Sequence, residues 1–247
     1  MKCVVLAAGY ATRLYPLTEN FPKPLLKVQG KTILDWIIGD LESTGLIDEF
    51  VVVSNHKFFD IFVEWAGECD FARKVTVLDD GTVDNEHRLG AVKDIAFAIN
   101  SCNIAEPIVV VAGDNLTDFS LKGFVEYHKE KQHTCIMRHY EPSVEKLRRT
   151  GVIRIDENDK VLQMQEKPAE PVSNWAVPPF YVYCSEDLAL ISKAVEEGVC
   201  NVDAPGDFIA WLCTQSDVYA YLMPGKRYDI GNLQSYEEIC RDYKGIE

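Results

Sequence analysis

The sequence predicts an α/β fold, a doubly wound and mostly parallel sheet of mixed character in a three-layer αβα arrangement, and three observations carry that expectation. Four short apolar runs, KCVVLA (2–7), EFVVVSN (49–55), KVTVL (74–78) and PIVVVAG (107–113), are hydrophobic without alternation, as strands buried on both faces are. The stretches TILDWIIGDLESTG (32–45), KFFDIFVEWAGE (57–68), LGAVKDIAFAIN (89–100) and LKGFVEYHKEK (121–131) carry apolar residues three and four apart, the spacing of crossover helices. Beyond about residue 133 the pattern turns to TCIMRHY (134–140), a hairpin GVIRIDENDKVLQMQEK (151–167) turning at Glu157–Asp159, and NWAVPPFYVYC (174–184), which mixes the sheet. EDLALISKAVEEG (186–198), DFIAWLC (207–213) and LQSYEEICRDYK (233–244) read as helices, with VYAYLM (218–223) a strand before the last of them. No internal repeat, low-complexity tract or long linker interrupts this order, so a single domain over residues 1–247 is the simplest organisation.

The 247 residues, 47% of them hydrophobic, are enough for a sizeable core. The 39 acidic side chains outnumber 25 basic ones and leave a formal charge of −14, opposite to the footprint of a protein that grips phosphate backbones or anionic lipid without sequence preference. Nucleic acid and membrane are therefore not expected partners, whereas self-association into a homo-oligomer is left open. The 8 cysteines are scattered and no two stand at C-x-x-C spacing, which argues against a zinc site or a dithiol redox motif. The apolar run before Arg13 is too brief for a signal-peptide core and no later run approaches a membrane span, so free thiols in a reducing cytoplasm are the expectation.

In an open parallel sheet, ligands bind beyond the carboxyl ends of the strands. After the first strand comes Ala8-Gly9-Tyr10-Ala11-Thr12-Arg13-Leu14, where small residues let backbone N–H groups approach a phosphate or a base, and Thr12 and Arg13 add side-chain donors. A glycine there serves a plain turn equally well. The fingerprint G-x-G-x-x-G lacks its second glycine at Ala11 and the G-K-[ST] of a P-loop is absent, so both of those phosphate sites are disfavoured. Arg13 and Lys23, the latter between Pro22 and Pro24 whose rings fix φ, instead place two cations on a stiffened connection, as a polyphosphate requires.

The stretch LAAGYATRLYPLTENFPKPLL (6–26) resembles the signature loop of the sugar-1-phosphate nucleotidyltransferases, L-A-A-G-x-G-T-R-L-x-P-x-T followed by P-K. VVVAGDN (109–115), EKP (166–168) with SNWAV (173–177), and YDIGNLQSYEEI (228–239) extend the resemblance over most of the chain. It implies a Rossmann-like nucleotidyltransferase fold, with residues 1–132 as a nucleotide-binding half and 133–247 as a sugar-phosphate-binding half. It also implies Mg2+-dependent transfer of a nucleotidyl group from an NTP to a sugar 1-phosphate, a hexose such as glucose 1-phosphate, with release of pyrophosphate. By that resemblance Leu6, Ala8, Gly9 and Thr12 would face the nucleotide, Arg13 would hold the β- and γ-phosphates, and Lys23 would lie against the α-phosphate. Asp114 and Asp229 would hold the magnesium ion; Glu166 would bind sugar hydroxyls, Lys167 the sugar phosphate, with Asn174 beside them and Gly151 admitting the ring. Hard carboxylate oxygens are the ligands magnesium prefers.

Plainer readings stand beside these. Asp114 reads as a cap ahead of NLTDFS, and Asp229 as a cap before NLQSYEEI. Ala11 occupies the place of the family's second glycine, which is tolerable with negative φ and strained with positive φ. In DDGTVDNEHRLGAV (79–92), Leu89-Gly90 is the nearest match to the family's base-binding G-L motif, Arg88 stands where glycine is common, and the base is left open; His87 and Arg88 read as solvated loop residues. Pro179 also replaces a usual glycine. The aromatics Trp175, Tyr181, Tyr183, Trp211, Tyr219 and Tyr221 support an alternative, a box for a quaternary ammonium in a cytidylyltransferase acting on phosphocholine. Strand alternation, with Trp175, Val177, Pro179, Tyr181 and Tyr183 on one face, reads them as core instead. A nucleotide-binding regulatory module without turnover is a third class. The chain stops shortly after EEICRDYKGIE, so neither the left-handed β-helix that some relatives append nor an acyltransferase activity is expected.

Overall fold

The computed structural model describes residues 1–246. It divides into two compact units, one of residues 1–88, 111–123 and 224–247 and the other of residues 89–110 and 124–223, the division falling inside the strand Ile108–Ala112. Parallel and antiparallel pairing both occur, and helices flank the strands, so the fold is α/β with a mixed sheet.

In the first unit, Lys2–Leu6, Glu49–Ser54 and Lys74–Asp79 pair in parallel, Val4 opposite Val51 and Val51 opposite Thr76. The helices Ile33–Ser43 and Phe59–Glu68 connect them, as parallel neighbours require. Thr32 caps the first helix in a capping box with Asp35, each side chain accepting from the other residue's backbone N–H. Lys74–Asp79 is only partly buried, unlike the expectation for KVTVL, because it is the edge strand and pairs on one side alone. An antiparallel pair that no local pattern announces joins Asn115–Thr117 to Arg227–Asp229. The helix Leu233–Asp242 follows, and Tyr236 and Tyr243 donate to the carbonyls of Lys27 and Thr117, which fixes this distant segment in the unit.

In the second unit, Thr134–Tyr140 pairs antiparallel with Trp175–Val177 and with Phe180–Tyr183, and in parallel with Val218–Leu222. The hairpin Gly151–Ile155 and Val161–Glu166 forms as expected, Asp159 at its turn adopting φ 64°. The run expected as one strand over 174–184 is two, broken at Pro178-Pro179, whose missing N–H groups cannot continue a ladder. The face is kept across the break: Trp175 stands opposite Tyr140 and Tyr181 opposite Ile136, and residues 136 and 140 of one strand share a face. Ser185–Glu197 ends at Gly198 in the left-handed conformation, and Pro205–Leu212 begins with proline in its first turn. All 8 cysteines are free thiols, and among the described residues no helix is long and apolar enough to cross a membrane.

Candidate active site

The glycine loop leaves the strand Lys2–Leu6 with Ala7 and Ala8 buried and Gly9 exposed. A β-carbon at Gly9 would meet nothing within 4 Å and its φ is not positive, so neither packing nor backbone conformation demands glycine there. Asn55 donates to the Ala8 carbonyl from a fully buried position and fixes the loop's entry, while Leu6 is half-buried and Thr12 exposed. Ala11 has φ 47° and ψ 40°, the left-handed region, so this departure from the family pattern is strained. The strain is held in place because the Ala11 carbonyl accepts from Thr18 Oγ1 at 2.8 Å and from the Leu14 N–H at 2.9 Å. Ala11→Gly is expected to stabilise the protein by about 0.5–1 kcal/mol in urea unfolding, the relief of a left-handed β-carbon less the extra chain entropy of glycine.

Thr12–Leu14 and Lys23–Leu25 are short 3-10 turns that carry the two cations. Arg13 is exposed and makes no hydrogen bond or ion pair among the described residues, although the chain has an excess of carboxylates. Lys23 is 7% exposed, and its Nζ lies 2.6 Å from Asp114 Oδ2. The other Asp114 oxygen accepts from Asn115 Nδ2 at 2.5 Å, and Asn115, 2% exposed, accepts in turn from Arg227 at 2.6 Å. Gly113 makes this approach feasible: its N–H donates to the Leu6 carbonyl, and a β-carbon there would press on Leu6, Leu34 and Val5 at 3.2–3.3 Å. Asp229 stands opposite Asn115 in the antiparallel pair, one register position from Asp114, and its exposed carboxylate has no partner among the described residues.

Neither acid is a cap. Asp114 leads into the strand Asn115–Thr117, and the cap of Leu233–Asp242 is Asn232, whose side chain accepts from the Ser235 N–H. Two carboxylates in neighbouring register fit a magnesium ion. Magnesium takes one or two carboxylates and fills its octahedron with water and phosphate oxygens, so the donor type of Asp114 and Asp229 suits it.

Gly151, Glu166 and Lys167 come together in the second unit, where Glu166 pairs opposite Gly151 in the hairpin. Glu166 Oε1 lies 3.7 Å from Lys167 Nζ, its side chain 12% exposed and that of Lys167 61% exposed. Lys167 has φ 46°, again left-handed, with its N–H donating to the Thr150 carbonyl. Burial pushes the Glu166 carboxyl above the ordinary carboxylate range; Lys167 opposes the rise and Asp207 adds to it. A folded-state value above the unfolded one means that folding disfavours the charged form. That penalty is complete above the folded value and vanishes below the unfolded value of about 4.3. Glu166→Gln is thus expected to raise the melting temperature at pH 7 and to lose that advantage as the pH falls below about 4. Asn174 is committed elsewhere in this unit, donating from Nδ2 to the Glu141 carbonyl at 2.9 Å. Gly90 has φ 94°, and a β-carbon on it would strike the Val202 carbonyl at 2.7 Å, so the fold itself requires this glycine; Leu89 beside it is half-buried. His87 and Arg88 are exposed, with His87 on Asp84 at 2.8 Å and Arg88 on the Asn85 carbonyl at 3.0 Å.

Residues 2–245, which include every one of these positions, match the Nucleotidyl transferase family. The chain belongs to that family. It is 28% identical over 256 residues to a glucose-1-phosphate adenylyltransferase of Fervidobacterium nodosum, covering 95% of this chain and 59% of that protein. It is 26% identical over 265 residues to a UTP–glucose-1-phosphate uridylyltransferase of Staphylococcus epidermidis, covering 98% of this chain and 91% of that one. The chain thus spans less than two thirds of the length of some curated relatives, such as 63% of a Synechocystis UTP–glucose-1-phosphate uridylyltransferase. The crystal structure of a UDP-glucose pyrophosphorylase with UDP-glucose shares the fold at a TM-score of 0.82 and 21% identity, over 98% of this chain and 97% of that one.

In this nucleotidyl transferase the six aromatics do not build a box. Tyr181 stacks on Tyr183, which packs against Phe208 in the core, and Phe208 meets the half-buried Trp211. Trp175 lies under the Arg138 guanidinium, 4.2 Å from its ring centroid, and edge-on to Tyr140. Tyr221 packs with Phe124 and Tyr127, and Tyr219 with His133 and Lys131. Sequence reasoning overlooked Asn115 and Arg227, which stand 112 residues apart and are paired only by the tertiary fold.

Proposed function

We propose that this protein transfers a nucleotidyl group from an NTP to a sugar 1-phosphate, a hexose such as glucose 1-phosphate, and releases pyrophosphate. The observation that carries the reading is the charge arrangement around Asp114: a buried lysine held on it, a second carboxylate one register position away, and an exposed arginine on the adjoining loop with no partner among the described residues. A ligand with several negative charges completes that arrangement, whereas a purely structural ion pair has no use for the unpaired members.

In the reaction an oxygen of the sugar phosphate attacks the α-phosphorus of the NTP, the bond from that phosphorus to the β-bridging oxygen breaks, and the electron pair leaves with pyrophosphate. A phosphate monoester has a second pKa of about 6, so the nucleophile is already ionised at neutral pH and no general base is required. The obstacle is the meeting of two anions, which positioning and fixed cations overcome. Lys23 neutralises the α-phosphate, and its burial keeps the ammonium from wandering. Arg13 holds the leaving phosphates with a planar fork suited to them. Lys167 takes the sugar phosphate and Glu166 the ring hydroxyls, with Gly151 leaving room beside Glu166. Asp114 and Asp229 hold magnesium, which supplies Lewis-acid stabilisation of phosphate oxygens when bound.

The dispersal of the aromatics into packed clusters favours the sugar phosphate over phosphocholine. The reading is tested by pyrophosphate release across a panel of NTPs paired with hexose 1-phosphates and phosphocholine. Release with a sugar phosphate supports it; release with phosphocholine alone, or nucleotide binding without release for any pair, replaces it with one of the two alternatives.

A further inference from the structure

Gly206 lies in the first turn of the helix Pro205–Leu212 and is buried. Its φ is not positive, so the backbone does not require glycine. A β-carbon at 206 would overlap Glu166 Oε2 and stand 3.0 Å from both Glu166 Cδ and Met164 Cε. From the other side, a β-carbon at Gly151 would lie 2.6 Å from Met164 Cε and 3.2 Å from Glu166 Oε2. Two glycines on separate elements therefore flank one carboxylate, and the one on the helix approaches it more closely. Contact distances under 3 Å are far inside the van der Waals separation, so any side chain at 206 must displace Glu166 or move the helix.

We infer that Gly206 is a positioning residue for acceptor specificity, holding the Glu166 carboxylate where it meets the sugar hydroxyls. The inference rests on the reading of Glu166 as an acceptor contact. The bland account, a small residue tolerated in a helix's first turn, leaves unexplained why the occupied space belongs to a half-desolvated carboxylate rather than to apolar packing alone. The atoms nearest to a β-carbon at 206 belong to Glu166 and Met164, so its effect falls on the acceptor.

The test is a double-variant cycle of Gly206→Ala and Glu166→Asp, read as KM for sugar phosphate, KM for NTP and melting temperature. Gly206→Ala is expected to raise the sugar-phosphate KM about 10- to 100-fold, as misplacement by about 1 Å does, and to leave the NTP KM unchanged. The shorter aspartate vacates the overlapped space, so the double variant is expected to have a sugar-phosphate KM below that of Gly206→Ala and a melting temperature above it. An unchanged sugar-phosphate KM in folded Gly206→Ala, equal rises in both KM values, or a double variant that fares no better or fails to fold would overturn the proposal. Absence of turnover by the wild-type protein with every substrate pair overturns the reading of the site and this proposal with it, whereas wild-type turnover with an unresponsive Gly206→Ala overturns this proposal alone.

Discussion

Asp229→Asn and Asp114→Asn are both expected to lower kcat by at least about a hundredfold, yet only the second is expected to weaken the fold. Asp229 is exposed and has no partner among the described residues, so removing its charge disturbs nothing structural. Asp114 is the counter-ion of Lys23, whose side chain is 9% exposed, so its loss strands a buried ammonium. Breaking a fully buried pair costs about 3–5 kcal/mol and an exposed one less than about 1. Because the Asp114 side chain is 36% exposed, a loss of about 1–3 kcal/mol is expected. Steady-state kinetics with urea unfolding of both variants checks the split. Full activity in both removes the metal assignment, and equal stability removes the claim that Asp114 compensates Lys23.

Lys23→Met is expected to lower kcat by about 10²–10³-fold with the KM for sugar phosphate little changed, since the lost charge acts on the α-phosphate as charge builds there. Its structural consequence is the converse of the Asp114 change. The carboxylate left behind is exposed enough to be solvated and keeps the Asn115 hydrogen bond, so stability changes little. A second readout does not depend on turnover. Asp114 Oδ2 is occupied by Lys23 and Oδ1 by Asn115, so freeing Oδ2 is expected to strengthen binding of Mn2+ to the nucleotide-free protein, measured by calorimetry. Unchanged kcat, or weaker Mn2+ binding in the variant, contradicts the placement of Lys23 between the metal ligand and the phosphate.

The parts of the fold that were legible were those whose signal is local. Apolar runs such as IVVVA (108–112) and helices such as Ile33–Ser43 declare themselves by period, and the glycine loop with Arg13 and Lys23 is a contiguous motif. What stayed hidden depends on contacts between distant residues. The pairing of Asn115–Thr117 with Arg227–Asp229 is three residues long on each side, too short to carry a periodicity, and its reward comes only after a long loop is closed. That pairing is what places Asp229 beside Asp114, so only the family resemblance, and no local pattern, makes the two acids legible as neighbours. Ala11 was legible as a departure, but its positive φ follows from hydrogen bonds to Thr18 and Leu14 that composition does not reveal. Gly206 carries no local signal, because the side chain that needs its space lies 40 positions earlier, at Glu166.

Attack at the α-phosphorus of a nucleoside triphosphate by a sugar phosphate dictates where an isotopic label in the NTP ends up. With NTP labelled at the α-phosphate, the label is expected in a nucleoside diphosphate sugar; with NTP labelled at the γ-phosphate, it is expected in pyrophosphate alone. Gamma label appearing on the sugar or as inorganic phosphate, or α-label remaining in nucleotide while the sugar phosphate is unconsumed, would contradict the account.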